Sequence, residues 1–245
     1  MSAYAANADL SGVSVIALDI FGTTVDWHTS VAEQVAQIAG RTNAKVSPGR
    51  FTDEWRDRYL PALDAISSGD QPWRNLDALH REALDDLLEV HGVGDDFDDT
   101  ARRDLVLAWH HLAPWPDVVD GLARLRRRFT VVTLSNGGLA LLVRLLKGAD
   151  LPFDCVLSAE MFQSYKPQEH VYRAAADLLA VRPEQMLMVA AHTWDIDGAR
   201  RAGLRTAFLE RPKEKGPDRT ADRAADTTCD LAVSSLTELA DILSC

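Results

Sequence analysis

Val13 to Phe21 reads VSVIALDIF, an apolar and partly β-branched run that carries a carboxylate near its end, at Asp19, and is followed by Gly22. A strand with apolar residues on both faces must be covered on both, which is the situation of a strand in a parallel sheet flanked by helices. Comparable runs recur at Phe129 to Leu134, Phe153 to Ser158, Met186 to Ala191 and Thr206 to Leu209. Helical stripes lie between them. Val118, Leu122 and Leu125 share a face, as do Leu139, Leu142, Val143 and Leu146, and then Val171, Ala174, Ala175 and Leu178. Strands alternating with helices predict an α/β fold with a doubly wound parallel sheet.

Residues 28–113 break this alternation. The stretch holds no convincing strand and reads as several helices, with Leu76, Leu79, Ala83, Leu87 and Leu88 on one stripe. Loop signals separate the helices at Ser47-Pro48-Gly49, at residues 67–72 and at His91-Gly92-Val93-Gly94, and Pro114-Trp115-Pro116 closes the stretch. We read 1–27 and 114–245 as a core domain and 28–113 as an inserted all-helical cap. Such a cap would sit over the carboxyl edge of the sheet, where open α/β sheets bind ligands. A mobile linker would let it gate solvent.

The chain has 245 residues and a formal charge of −11, with 26 basic against 37 acidic side chains. That surface repels nucleic acid and anionic membranes, so neither is expected as a partner. It also makes any cation beside an anionic ligand informative. Cys155, Cys229 and Cys245 match no metal-binding spacing and read as free thiols in a reducing compartment. The start, MSAYAANADLSG, lacks the basic-then-apolar pattern of a secretion leader, and no apolar run is long enough for a membrane span. The expectation is a cytoplasmic protein.

Four segments hold groups able to do chemistry, and each follows a strand or lies in a loop on the same sheet edge. Asp19 ends the first strand, with Gly22 allowing a sharp turn and Thr23 placed to return a hydroxyl. Ser135-Asn136-Gly137 follows the strand FTVVTL. Taken alone it is an ordinary helix cap. Lys166, between Tyr165 and Pro167, is held extended by the proline and suits an ammonium reaching a carboxylate. Ala190-Ala191-His192-Thr193-Trp194-Asp195 follows the strand MLMVAA and brings a second carboxylate.

In this order the segments resemble the haloacid dehalogenase superfamily over nearly the whole chain. The resemblance implies a Rossmann-like core with an inserted cap and a nucleophilic aspartate at Asp19. Phosphatases of that superfamily carry a second aspartate two residues after the nucleophile and an acidic pair that holds Mg²⁺. Here those places hold Phe21 and, for the first acid of the pair, Ala191. Phe21 cannot transfer a proton, and a lone Asp195 is a poor Mg²⁺ site. A halide leaves without a proton. The chain resembles the L-2-haloacid dehalogenases more narrowly in Trp55-Arg56, in Tyr165-Lys166-Pro167 with Val171-Tyr172, in Leu134 to Gly137, in Trp194-Asp195 and in Gly198-Ala199-Arg200.

That narrower resemblance implies hydrolysis of a small anionic 2-haloacid with no metal and no organic cofactor, in a possible homodimer. Asp19 would attack C2 and become esterified. Arg56 would receive the halide, with Asn136 donating an amide hydrogen bond. Ser135 would hold the substrate carboxylate, Thr23 would orient Asp19, and Lys166 would keep it ionised. Asp195 would hold Lys166 or activate the attacking water, and Tyr172 would join that network. Trp73 and Trp194 would supply the apolar wall around the halogen. The family's serine and asparagine before Trp194 are here Ala190 and His192. His192 would replace the asparagine or share the base's work, and its bulk would favour small halogens, fluoride included. Arg211 to Thr228 reads as a polar surface excursion, and His110-His111 and the basic run Arg124 to Arg128 as bland. Two rivals stay open: a phosphatase or phosphonate-cleaving relative, and a non-catalytic ligand-binding member.

Overall fold

The computed structural model describes residues 9–42 and 44–245. The first eight residues, read above for a leader pattern, lie outside the described ones, as does Asn43. Six parallel strands form the main sheet: β1 (Val15–Leu18), β4 (Thr130–Ser135), β5 (Cys155–Ser158), β6 (Met186–Ala190), β7 (Arg205–Leu209) and β8 (Leu231–Val233). Their order is β5-β4-β1-β6-β7-β8. β1 therefore lies where the winding reverses, between β4 on one side and β6 on the other. Ile16, Ala17 and Leu18 are fully buried, as both-face covering requires. Burying each of the two larger chains contributes about 1.5–3 kcal/mol. The ladder of β1 runs on past its last residue, because Asp19 N–H donates to the Val189 carbonyl at 3.0 Å.

Helices α6 (Val118–Leu125), α7 (Leu139–Gly148), α8 (Glu169–Leu178), α9 (Thr193–Arg201) and α10 (Leu236–Ile242) cover the sheet. α6 buries the stripe expected of it. α7 does not: Leu139 and Val143 are exposed, and Leu141, Leu142, Leu145 and Leu146 face the core. Its sequence, LALLVRLLKG, offers leucines on more than one face, so periodicity underdetermines the buried one. α8 also departs from its expected stripe, burying Val171, Tyr172, Ala175 and Ala176 and exposing Leu178.

Between β1 and α6 run α1 (Trp27–Thr42), α2 (Pro48–Asp57), α3 (Tyr59–Ser67), α4 (Leu76–Val90) and α5 (Asp99–Ala108). Asn75 and Asp98 cap α4 and α5 by accepting from Ala78 N–H and Ala101 N–H at 3.0 and 2.8 Å. Ser47-Pro48-Gly49, expected as loop, is a helix start with proline in the first turn. The two chain crossings between sheet and helices pair as a short antiparallel ribbon, β2 (Val25–Asp26) with β3 (Ala113–Pro114). Two-residue strands carry no readable period, so this ribbon has no signature in the sequence. Under the helices Trp27 stacks on Trp109 at 6.0 Å, and Trp55 meets Trp109 edge-on at 5.5 Å.

The segment expected as a surface excursion folds inward instead. Arg211 and Glu214 are 7% and 3% exposed. Arg211 makes a bidentate pair with Asp117 at 2.7 and 3.0 Å and donates to the Thr23 carbonyl at 2.9 Å. Arg219 reaches Asp57 on α2 at 2.7 Å, tying this segment to the helices over the sheet edge. Among the described residues no helix is long and apolar enough to cross a membrane.

Candidate active site

The loops after β1, β4 and β6 converge on one edge, and the side chains singled out in the sequence meet there. Asp19 is 4% exposed. Its Oδ1 accepts from Lys166 Nζ at 2.9 Å, and its Oδ2 accepts from Thr23 Oγ1 at 2.9 Å. The Thr23 hydroxyl is fixed in turn by the Ala191 N–H, which donates to it at 2.9 Å. Lys166 is fully buried, not the solvated lysine its type usually is, and Nζ also donates to Asp195 Oδ2 at 2.5 Å. Tyr172 OH donates to the other Asp195 oxygen at 2.6 Å. α9 comes close enough for this because position 198 is glycine: a Cβ there would lie 2.8 Å from the Tyr172 hydroxyl.

The charges follow from these partners. Burial alone would raise the Asp19 carboxyl, but the Lys166 ammonium and the His192 ring outweigh it and hold Asp19 well below the usual carboxylate range. Burial would lower the Lys166 ammonium, but two carboxylates raise it above its ordinary value. Asp195 is held above its ordinary value by burial and by the charge of Asp19, with Lys166 opposing. One ammonium thus bridges two buried carboxylates.

His192 lies on the other side of Asp19. Its Nδ1 is 3.4 Å from Asp19 Oδ2, an ion-pair distance without the alignment of a full hydrogen bond, and its Nε2 is 3.3 Å from Glu214 Oε1. Burial pulls the imidazole down, yet the two carboxylates outweigh it and raise it to about 9. Trp27 Nε1 donates to the same Glu214 oxygen in a short hydrogen bond. Gly22 makes room for this acid: it turns at φ +81°, and a Cβ there would come within 2.5 Å of Glu214 Oε1.

A cavity of about 210 Å³ adjoins this network, lined by residues that include Trp27, Arg56, Tyr59, His192, Trp194 and Glu214 and also Lys215, Arg219 and Asp222. Arg56 does not sit on a solvated face. Its guanidinium lies 4.0 Å from the Tyr59 ring centroid and 5.3 Å from that of Trp27. Its Nη1 is buried with no hydrogen-bond partner among the described residues. Lys215 and Arg219, by contrast, are held by Asp222 and Asp57. Trp194 stacks on His192, centroids 5.4 Å apart.

Asp19, Ser135, Asn136, Lys166, Tyr172 and Asp195 are not part of the lining of this cavity. Ser135 is fully buried, its hydroxyl oxygen accepting from Gly137 N–H at 3.1 Å. Asn136 departs from the expectation of an amide facing a halide. Both its amide hydrogens are engaged, to Tyr59 OH at 3.0 Å and the Lys166 carbonyl at 3.2 Å, and its Oδ1 accepts from Lys166 N–H at 2.8 Å. It holds the lysine segment in place. Trp73 does not line the cavity. Trp27, Tyr59 and Glu214 do, and sequence reasoning missed all three. Tyr59 stands three residues after Arg56 and was findable by helical spacing. Glu214 had no signal at all in a polar, aperiodic stretch.

The profile of the haloacid dehalogenase-like hydrolases matches residues 13–203. A curated (S)-2-haloacid dehalogenase of Pseudomonas sp. (strain CBS-3) is 31% identical over 199 residues, covering 79% of this chain and 82% of its own. A solved structure of a defluorinating L-2-haloacid dehalogenase superposes with a TM-score of 0.92 at 38% identity, over 95% of this chain and 96% of the other. A second L-2-haloacid dehalogenase structure gives 0.89 at 38% identity, over 94% and 99%. The matched span takes in the strand that ends at Asp19, the Lys166 segment and Asp195, and the chain belongs to the haloacid dehalogenase-like hydrolases.

Proposed function

We propose that this chain hydrolyses L-2-haloalkanoic acids to 2-hydroxy acids and halide, with Asp19 as the nucleophile. One observation carries the reading: the ionised Asp19 carboxylate meets His192 in the wall of a cavity that also holds Arg56 with an unpartnered Nη1, and no proton donor stands two residues on. Phe21 at that position is buried and packs edge-on against Trp109. A leaving group in such a site has to depart as a stable anion, and a halide does.

Asp19 attacks C2 from the side opposite the halogen, inverting the centre and forming an aspartyl ester. Arg56 receives the departing halide; its free Nη1 and apolar ring surroundings suit a weakly hydrated anion. Ser135 and the backbone N–H groups of its loop hold the substrate carboxylate. Lys166 keeps Asp19 ionised, Thr23 fixes the carboxylate plane, and Asp195 with Tyr172 anchors the ammonium. The cationic partner of both carboxylates is this ammonium, so no metal or organic cofactor enters the steps. Residues 28–113 act as a cap over the core formed by 1–27 and 114–245. The names of the relatives support the substrate class, at 31% identity for the (S)-2-haloacid dehalogenase. The bulk of His192 in the cavity and the defluorinating neighbour at 38% identity support extension to fluoroacetate.

Purified protein in excess EDTA should release chloride steadily from L-2-chloropropionate and not from the D enantiomer, and Asp19→Asn should abolish release. A folded protein that frees no halide from chloropropionate, bromoacetate or fluoroacetate would sink the substrate assignment and leave the fold untouched.

A further inference from the structure

An aspartyl ester must be hydrolysed by a water that loses a proton, and Asp195 is badly placed to take it. Both of its oxygens are occupied, by Lys166 and Tyr172, and it is fully buried and does not line the cavity. His192 is in the opposite situation. It forms part of the cavity wall, its Nδ1 has no well-aligned partner and points toward Asp19, and its Nε2 is backed by Glu214. The geometry points to His192, oriented by Glu214, as the base that draws the proton from the water attacking the Asp19 ester. This inference rests on the reading of Asp19 as the esterified nucleophile.

The chemistry balances over the cycle. In the resting enzyme His192 is a cation held between two carboxylates. Attack on the substrate turns the Asp19 carboxylate into a neutral ester, so the ring loses one of the charges that kept it protonated, and its proton goes to solvent. Nδ1 is then a free base facing the ester. It takes a proton from a cavity water while the hydroxide oxygen adds to Asp19 Cγ. Collapse of the tetrahedral species breaks the bond between Cγ and the substrate oxygen. The departing alkoxide takes the proton of the new carboxyl group and leaves as the 2-hydroxy acid. The Asp19 carboxylate and the His192 cation are restored, and one proton has been released per turnover. The resting cation therefore does not compete with the nucleophile, and the base appears only after the ester has formed.

The other charged groups around the ring leave this logic intact. Asp222 and Lys215 flank it from the 211–228 segment and neutralise each other at 2.6 Å. Lys166 is committed to Asp19 and Asp195, and Arg56 acts on Glu214 from α2. Glu214 touches no reacting atom and is a positioning residue. It fixes the ring through Nε2 and is itself fixed by Trp27.

The test is a rapid-quench study with L-2-chloropropionate, following chloride and the mass of the protein–substrate ester across pH. In the wild type the ester-hydrolysis rate should rise with pH to a plateau set by the ring. His192→Asn should keep a stoichiometric chloride burst, accumulate ester, and hydrolyse it about 10²–10⁴-fold more slowly with a flat pH profile. Glu214→Gln, nearly isosteric, should move the midpoint of that profile to lower pH and lower its plateau. A Glu214→Gln profile superimposable on the wild type, or a His192→Asn enzyme that neither stores ester nor slows its hydrolysis, overturns the proposal. A wild type that releases no chloride at all overturns the dehalogenase reading and this inference together.

Discussion

A fully buried ammonium is costly unless paired, and Lys166 is paired twice, so its charge and those of Asp19 and Asp195 are mutually required. His192 repeats the arrangement between Asp19 and Glu214, with a consequence for stability. The ring's value in the folded chain, about 9, lies above the ordinary 6.5. The stability it confers is fully present below about pH 6.5 and is lost as pH rises through about 9. Its size is on the order of 3 kcal/mol. Chemical denaturation between pH 6 and 10 should therefore show wild-type stability falling across that window, and His192→Asn should flatten the fall. A wild type whose stability rises there would contradict the charge assignment. Asp19 and Lys166 were legible in the sequence because each stands at a position the strand pattern fixes, at a strand end or in a loop of the same edge. Glu214 was not, because its partners Trp27 and His192 are brought to it only by tertiary folding, and its segment has no period to read.

Elements were legible where their pattern had one reading. The apolar runs marked five of the six strands of the sheet, β8 not among them, and so the edge where the site forms. α7 was misread by rotation because its leucines satisfy more than one stripe, and the ribbon of β2 and β3 was too short to have a pattern. The turn after β1 shows how local and long-range demands meet in one residue. Gly22 is needed for its positive φ and for the space that Glu214 fills. Gly22→Ala should cost about 1–2 kcal/mol from the backbone conformation alone. It should also displace Glu214 from His192, so that urea midpoints and turnover fall together. Unchanged turnover in a folded Gly22→Ala protein would show that the Glu214 position is not needed for the reaction.

At the scale of the whole molecule, a chain of net charge −11 has to receive an anion. The local balance is different: Lys215 and Arg219 in the cavity lining are paired with their own carboxylates, and Arg56, held on aromatic faces, has an unpartnered Nη1. The segment from Arg211 to Arg219 closes the arrangement, joined to the core through Asp117 and to α2 through Asp57. On the proposed reading, sheet, helices and this segment together serve one step, the transfer of a substrate carbon to Asp19. A single turnover in heavy-oxygen water, with substrate limiting, tests that step directly. Water that attacks Asp19 Cγ leaves its oxygen on the enzyme, so the account predicts one heavy oxygen in the Asp19 peptide and none in the first 2-hydroxy acid formed. Heavy oxygen in the product with an unlabelled Asp19 peptide would mean that water attacks the substrate itself, and would contradict the nucleophilic role of Asp19.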